Sequence, residues 1–201
     1  AIGAIDHPEK DSAATDDLAQ EALRAQYQYT MNLNTSFTGD DNLYVRIRTG
    51  NGDGKSSGGA FGSTTYGTYL VADSSKYADA LSVDKIWYQF PVGERNTFWF
   101  GPKIENYYMH ATAPSIYQPV LKQFTLGGNG AAYGASTKTG AGWAYSADNG
   151  FAISSNVVSG NNGLLTNQQT TSWATQLGIT KPQYSASLMV NQKYNGWEDE
   201  Y

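Results

Sequence analysis

The sequence contains no cysteine, so disulfide bonds, thiolate metal sites and a cysteine nucleophile are all excluded. Histidine is nearly absent as well: His7 and His110 are the only two, and they fall in separate predicted loops. A zinc-type site needs several such ligands at close range, so this pattern disfavours one. We therefore expect no metal, no cofactor and no enzymatic activity.

Charge is also scarce. Charged residues make up 15% of the chain, against about a quarter in ordinary domains, and the formal net charge is -5 without any cluster of Lys and Arg. This distribution argues against a nucleic-acid partner, which would favour a basic stripe. The abundance of Gly (22) and Tyr (15) disfavours both disorder and long helices.

Long hydrophobic runs are missing too. No stretch approaches the eighteen or so apolar residues of a transmembrane helix. The N-terminus has no charged start followed by an apolar run, so we expect a signal peptide to be absent or already removed.

What the sequence does contain is alternation. Residues 26–37 place Tyr29, Met31 and Leu33 between polar neighbours, and residues 43–48 repeat the pattern after a turn. Side chains alternate sides along a strand, so this pattern predicts a hairpin with one apolar and one polar face. About ten residues cross a bilayer as a tilted strand, and aromatic residues flank the apolar band of outer-membrane barrels. A soluble sandwich shows the same alternation, so both interpretations stay open at this point.

Six further strands are predicted, near residues 81–90, 97–103, 134–146, 151–159, 172–180 and 184–190. Their connections alternate between short turns and longer loops, as expected of an up-and-down antiparallel transmembrane β-barrel. The prediction is a polar arm at residues 1–24, a β-barrel region at 25–194 and a polar tail at 195–201. Because both end strands begin or end on the long-loop side, we expect about eight strands of a larger porin barrel. The alternative is a small closed barrel filled by side chains.

Four sequence runs resemble the cyanobacterial iron-uptake porins, relatives of the carbohydrate-selective outer-membrane porins. They are S-F-T-G-D-D-N-L-Y-V-R-I-R-T-G-N from Ser36, V-D-K-I-W-Y-Q-F-P-V-G from Val83, F-W-F-G-P-K from Phe98 and G-W-A-Y-S-A-D-N-G-F from Gly142. The resemblance implies a passive diffusion channel in the cell outer membrane, in contact with its lipid. It also implies small hydrophilic solutes or inorganic ions, including iron, as cargo, and a homotrimer when the protein is full length.

If lipid covers the apolar face, the polar face lines the pore, because an Arg on the lipid side near the midplane costs about 2–4 kcal/mol. The predicted pore-lining residues are Gln26, Gln28, Asn32, Asn34, Tyr44, Arg46, Arg48, Lys85, Gln89 and Lys103. Arg46 and Arg48 would form a positive strip that favours anions. The alternative is that they pair with carboxylates of loops that fold inward, or of strands outside this sequence.

The connection over residues 104–133 is the predicted constriction loop, because it is long and carries apolar anchors. Its proposed anchors are Tyr107, Tyr108, Tyr117 and Phe124. The alternative is an external cap.

Two other functions remain open. A soluble β-sandwich carbohydrate-binding module could use Trp87, Trp99 and Trp143. A glycosidase could use Glu105 with a second carboxylate about 5–9 Å away, although no predicted strand carries two carboxylates on one face.

Overall fold

A computed structural model describes residues 2–3, 24–25, 27–50, 79–112, 137–160 and 170–195. The chain divides into two compact units. The first comprises Ala1–Met31, Ile47–Val83 and Tyr117–Gly128, and the second comprises Asn32–Arg46, Asp84–Ile116 and Asn129–Tyr201.

Strands dominate the described residues. Two short ones, β1 (Ile2–Gly3) and β2 (Arg24–Ala25), form a small antiparallel sheet. The other eight are β3 (Gln28–Thr35), β4 (Asn42–Gly50), β5 (Ser82–Val92), β6 (Asn96–Glu105), β7 (Thr137–Ser146), β8 (Phe151–Ser159), β9 (Thr171–Thr180) and β10 (Ser185–Tyr194). One 3₁₀ helix, Asn106–Met109, follows β6. Within these ranges no helix has the length and hydropathy to cross a bilayer.

The eight strands form one antiparallel sheet in which each strand lies beside its neighbours in sequence, from β3 to β10. The prediction of an all-β, up-and-down arrangement of eight strands is confirmed. In the part of the chain that the structure describes, β3 and β10 are the two edges and do not pair with each other. The sheet is therefore not closed, and its place in a membrane barrel stays a prediction.

A tight turn joins β7 and β8 at the sequence Asp148-Asn149-Gly150, which is typical of a hairpin. Gly150 has a φ of +86°, a conformation that glycine adopts without a Cβ penalty, and its N–H donates to the carbonyl of Ala147 at 3.0 Å. The Ala147 N–H donates to Phe151 O at 2.8 Å and closes the hairpin.

Proline has no N–H to donate, so Pro102 is expected to interrupt regular pairing within β6. The β6–β7 register does shift between Gly101 and Ile104, but the strand continues to Glu105. The strand therefore passes through this register shift without ending, as strands do at a β-bulge. As a result β6 ends with a buried carboxylate rather than with a loop residue.

The two faces of the sheet differ in composition. Residues directly opposite in a ladder point to the same side, so each paired row shows one face. One row across β5–β10 is aromatic and aliphatic for much of its length, with Phe90, Phe98, Trp143, Ser155, Thr175 and Val190. The adjacent row on the other side holds Gln89, Trp99, Gly142, Asn156, Ala174 and Asn191. We call these sides the apolar face and the polar face.

Burial is the reverse of that in a water-soluble sheet. On the apolar face Leu188 keeps 66% of its surface exposed and Phe100 keeps 53%. On the polar face Gln176 keeps 2% and Ser154 none. The cluster of buried hydrophobic residues, which includes Trp87 and Met109, also contacts the polar face.

A single carboxylate organises the turn between β3 and β4. Asp41 Oδ1 accepts hydrogen bonds from the hydroxyls of Ser36 and Thr38, both at 2.7 Å, and from the N–H groups of Phe37 and Thr38 at 3.0 and 2.7 Å. Its Oδ2 accepts from the Tyr88 hydroxyl at 2.5 Å. The Tyr88 hydroxyl, aided by the Thr38 and Ser36 donors, holds the pKa of Asp41 well below its usual range, although burial opposes the shift.

We predict that Asp41→Asn lowers the thermal unfolding midpoint at neutral pH, because the amide cannot satisfy the same donors. A carboxyl whose pKa is lower in the folded state stabilises above its unfolded pKa of about 4, and this contribution is lost as the pH falls towards the folded pKa. The difference between wild type and variant should therefore be greatest at neutral pH and shrink below about pH 4. Asp40→Asn, an exposed position in the same turn, is the control. An equal loss in both variants would contradict the role of Asp41.

Candidate functional site

A stretch of chain folds back over the polar face of the sheet. It consists of the 3₁₀ helix Asn106–Met109 and the next three residues to Thr112, and we call it the crossing segment. Its Thr112 N–H donates to Gln176 Oε1 at 3.0 Å, while Gln176 Nε2 donates back to Thr112 O at 3.1 Å. The Ala111 N–H donates to Ser154 Oγ at 3.1 Å. Side chains of β8 and β9 thus satisfy backbone groups that no strand or helix pairs.

Glycines on the polar face make room for the crossing segment. A Cβ on Gly178 would lie 1.9 Å from Thr112 Oγ1, and a Cβ on Gly142 would lie 2.6 Å from Met109 Sδ. Met109 is fully buried in this contact. Glycine inside a strand often marks such a close approach of another piece of chain. The two glycines were the signal in the sequence for this contact, although the prediction did not use them.

Four charged side chains meet where the crossing segment begins. Arg46 Nη2 lies 2.9 Å from Glu105 Oε1, and Arg46 Nε contacts Asp84 Oδ2. Lys85 Nζ lies 3.4 Å from both Asp84 Oδ1 and Glu105 Oε1. The side chains of all four are nine-tenths buried or close to it. We call them the ion cluster, and their formal charges sum to zero.

An aromatic stack continues from the ion cluster to the crossing segment. The rings of Tyr44 and Trp87 lie 4.1 Å apart, those of Trp87 and Tyr108 4.8 Å, and those of Tyr107 and Tyr108 5.0 Å, measured between centroids. Arg46 Nη1 also reaches the Tyr108 hydroxyl at 3.4 Å. The strands β4 and β5 therefore hold the first turn of the segment by both charge and ring contacts.

The predicted pore-lining residues divide into three groups. Arg46 and Lys85 are buried in the ion cluster, and Tyr44 is buried in the aromatic stack. Three others bond along the same face: Gln89 accepts from Trp99 Nε1 at 2.9 Å, Asn32 accepts from the Tyr44 hydroxyl at 2.7 Å, and Asn34 accepts from Asn42 Nδ2 at 2.9 Å. Gln28 and Arg48 are half-buried. Lys103 is exposed and pairs opposite Ile86 in the β5–β6 ladder. Gln26 lies outside the described residues.

Of the predicted constriction residues, Tyr107 and Tyr108 belong to the crossing segment. Tyr117 and Phe124 lie outside the described residues. The segment rests on the polar face through its backbone, as the preceding hydrogen bonds show.

Arg46 does pair with carboxylates, but they lie on β5 and β6 of this chain rather than on a loop folded inward. Its guanidinium is paired with Asp84 and Glu105, so the ion cluster carries no net positive charge. The sequence did not indicate Asp84 as a partner of Arg46. Neighbouring residues of a strand normally point to opposite faces, so Asp84 and Lys85 were not expected to meet the same groups. In the structure both side chains reach the ion cluster. A register shift between Ile86 and Tyr88 disturbs the strand just beyond them.

The residues named for the two other functions are also located. Trp87 and Trp99 are buried on the polar face, whereas Trp143 pairs opposite Phe98 on the apolar face. The three tryptophans therefore do not share one surface. Glu105 is held by Arg46 and Lys85.

The apolar face carries an open groove of about 490 Å³, lined by Phe98, Phe100, Trp143, Val157 and Trp173 among others. Its polar atoms bond to one another. Trp143 Nε1 donates to Asn96 Oδ1 at 2.9 Å, Trp173 Nε1 donates to Ser155 Oγ at 2.8 Å, and Ser155 Oγ lies 3.1 Å from Thr175 Oγ1. The groove on the apolar face therefore offers hydrocarbon and few free hydrogen-bonding groups.

Comparisons of this chain with protein-family models, with curated proteins and with solved structures found no match.

The fit between Gly178 and Thr112 can be tested by a double-mutant cycle. We predict that Gly178→Ala destabilises the fold by about 1–3 kcal/mol, because the added methyl overlaps Thr112. Thr112→Gly should restore most of that loss, and denaturant unfolding of the four proteins measures the coupling. Purely additive effects would show that the crossing segment does not lie against Gly178.

The ion cluster gives a second prediction. Arg46→Met leaves two buried carboxylates with one cation and should cost about 3–5 kcal/mol of unfolding free energy, and adding Glu105→Gln should recover part of this. Arg95→Met is the matched control, because Arg95 pairs with Asp148 in an exposed turn and exposed pairs contribute about 0–1 kcal/mol. Similar losses for Arg46→Met and Arg95→Met would contradict a structural role for the ion cluster.

Proposed function

We propose that the chain is part of an outer-membrane porin, a passive diffusion channel for small hydrophilic solutes or inorganic ions. The observation that carries the proposal is the reversed burial of the sheet. Large apolar side chains such as Leu188 and Val190 are exposed, while Asn156, Gln176 and Arg46 are buried on the opposite face. Strands that separate lipid from a polar interior have this distribution.

Exposed apolar area on this scale is unfavourable in water, by about 25 cal/mol for each Å². Lipid removes that cost, but it offers no partner to a polar atom. The apolar face meets this second condition, because the indole N–H groups of Trp143 and Trp173 are already bonded to Asn96 and Ser155. These contacts support hydrocarbon as the medium against this face.

The crossing segment supports a channel interior on the other side. Irregular backbone occurs at membrane depth only where protein buries it or where it lines a water-filled space. The segment lies on the polar face, and Tyr108 remains 40% exposed there. A loop folded against the inner wall would narrow a pore, which is the role we propose for it. An external cap is the alternative role for the connection over residues 104–133.

The connections support the same function. Four short turns, at residues 36–41, 93–95, 147–150 and 181–184, join the strands in pairs, and longer connections join one pair to the next. Outer-membrane barrels have short turns on one side and longer loops on the other. The neutral ion cluster provides no strong field of one sign, so we propose passage of small solutes without a fixed charge preference at this point.

The more specific proposals rest on the resemblance of the sequence runs to cyanobacterial iron-uptake porins. They are iron among the transported ions, the cell outer membrane as location, and a homotrimer for the full-length protein.

A soluble β-sandwich that binds carbohydrate is the second candidate, and the groove with Trp143 and Trp173 is the feature that favours it. Sugar recognition needs polar groups that point at the ligand beside an aromatic ring. In this groove the indole N–H groups and Ser155 bond to the sheet itself, which favours the porin.

The natural absence of cysteine allows a direct test in lipid vesicles. Tyr108→Cys and Leu188→Cys place a thiol at two exposed positions on opposite faces. We predict that a charged, membrane-impermeant methanethiosulfonate reagent modifies the first and lowers the conductance of planar bilayers. The second should be protected by lipid. Rapid modification of both positions, or a protein that stays in solution without detergent, would refute the proposed function.

A further inference from the structure

The crossing segment is sunk into the polar face of the sheet. Gly142 and Gly178 have no Cβ at the points where Met109 and Thr112 approach, and a Cβ at either position would overlap those side chains. Both Met109 and Thr112 are buried in these contacts. This part of the segment therefore lies close to the backbone of the sheet and projects little above it.

Two side chains of the sheet hold the far end of the segment through linked hydrogen bonds. Gln176 Oε1 accepts from the Thr112 N–H at 3.0 Å, and Gln176 Nε2 donates to Thr112 O at 3.1 Å. Ser154 Oγ accepts from the Ala111 N–H at 3.1 Å and donates to Gln176 Oε1 at 3.5 Å. The glutamine amide thus exchanges both bonds with one residue, as two residues of an antiparallel ladder do. We call Gln176 and Ser154 the clasp.

Glutamine suits this position because its amide both accepts and donates. Gln176 and Ser154 are buried, so water does not readily replace a lost bond while the segment lies on the sheet. A glutamate in place of Gln176 keeps the acceptor, but when ionised it sets a second oxygen against Thr112 O. A leucine offers neither bond. The clasp therefore depends on the amide itself and not on the size of the side chain.

The two ends of the crossing segment are held by different chemistry. At its start, the ion cluster and the stacked rings fix the chain. The bonds further along join neutral groups, namely those of the clasp and the one from Asn156 Nδ2 to Asn106 O at 3.3 Å. Separating buried charges costs more than breaking hydrogen bonds between neutral groups. The clasp end is therefore the end that releases first, and the ion cluster is the hinge.

We infer that Gln176 is a positioning residue that keeps the pore open, because it holds the crossing segment flat against the wall. The inference rests on the proposed function, in which the polar face lines an aqueous channel. When the clasp opens, the backbone groups of Thr112 lose their partners, and water in the lumen is the replacement that a channel offers at membrane depth. The segment then swings about its start into the lumen and obstructs passage.

Single-channel recording in planar bilayers tests the clasp, with Gln176→Glu as the first variant. At neutral pH the carboxylate cannot donate to Thr112 O, so the ratio of closed to open time should rise about tenfold or more over wild type, as expected for lost hydrogen bonds. At about pH 3.5, below the ordinary glutamic acid pKa of about 4.3, the protonated side chain donates again. The difference from wild type should then disappear. Gln176→Leu should keep its excess of closures at both pH values.

Gln89→Glu is the matched control, because it adds the same charge to the same face of the sheet. Gln89 Oε1 accepts from Trp99 Nε1 at 2.9 Å, a bond that a carboxylate oxygen can keep. This variant should show no excess of closures at either pH. Groups that titrate in every one of these proteins, His110 and the ion cluster among them, cancel in the comparison with wild type.

Three results would overturn the inference while wild-type conductance leaves the porin standing. They are steady opening of either Gln176 variant at neutral pH, an excess of closures in Gln176→Glu that persists at acid pH, and the same pH response in Gln89→Glu. A Gln176→Glu protein that forms no channel even when it is inserted at acid pH would also overturn it. A wild-type protein that forms no channel would refute the proposed function instead, and with it the basis of the inference.

Discussion

The contact on which the polar side of this protein depends is the ion cluster of Arg46, Asp84, Lys85 and Glu105. Two cations and two carboxylates hold one another at the end of β6, where the chain leaves the sheet. Burial of any one of these charges alone would be costly, so each needs the others to stay in place. The crossing segment begins at the next residue, and its course over the sheet follows from this fixed starting point.

On the apolar face, polar side-chain atoms form hydrogen bonds with other side chains of the same face. Trp143 and Trp173 bond to Asn96 and Ser155, and their ring surfaces form part of the apolar face. The sheet thus satisfies hydrogen bonds on both sides by different means, with backbone and charges on one face and short side-chain contacts on the other. A water-soluble sheet has no need to pair the polar atoms of its exposed face, since water does so.

The strands were predictable from sequence because alternation is a local property. The ends of β8 and β9 agree with the prediction to within one residue, and the turn at Gly150 followed from its Asp-Asn-Gly signal. The strand β6 ran past Pro102 because a register shift accommodates the missing N–H, and no local pattern indicates such a shift. The prediction that Tyr107 and Tyr108 belong to a constriction loop also used only local properties, namely the length and the aromatic content of the connection.

The sequence by itself determined which residues form strands, the order of those strands and the two chemically different faces, because each depends only on near neighbours along the chain. Only the tertiary structure decided that Arg46 meets Glu105, 59 residues away, and that Thr112 lies on Gly178. These contacts depend on where a connection folds after it leaves the sheet. The path of that connection is determined by side-chain packing and ion pairs between residues far apart in the sequence, and the alternation of polar and apolar residues carries no information about these contacts.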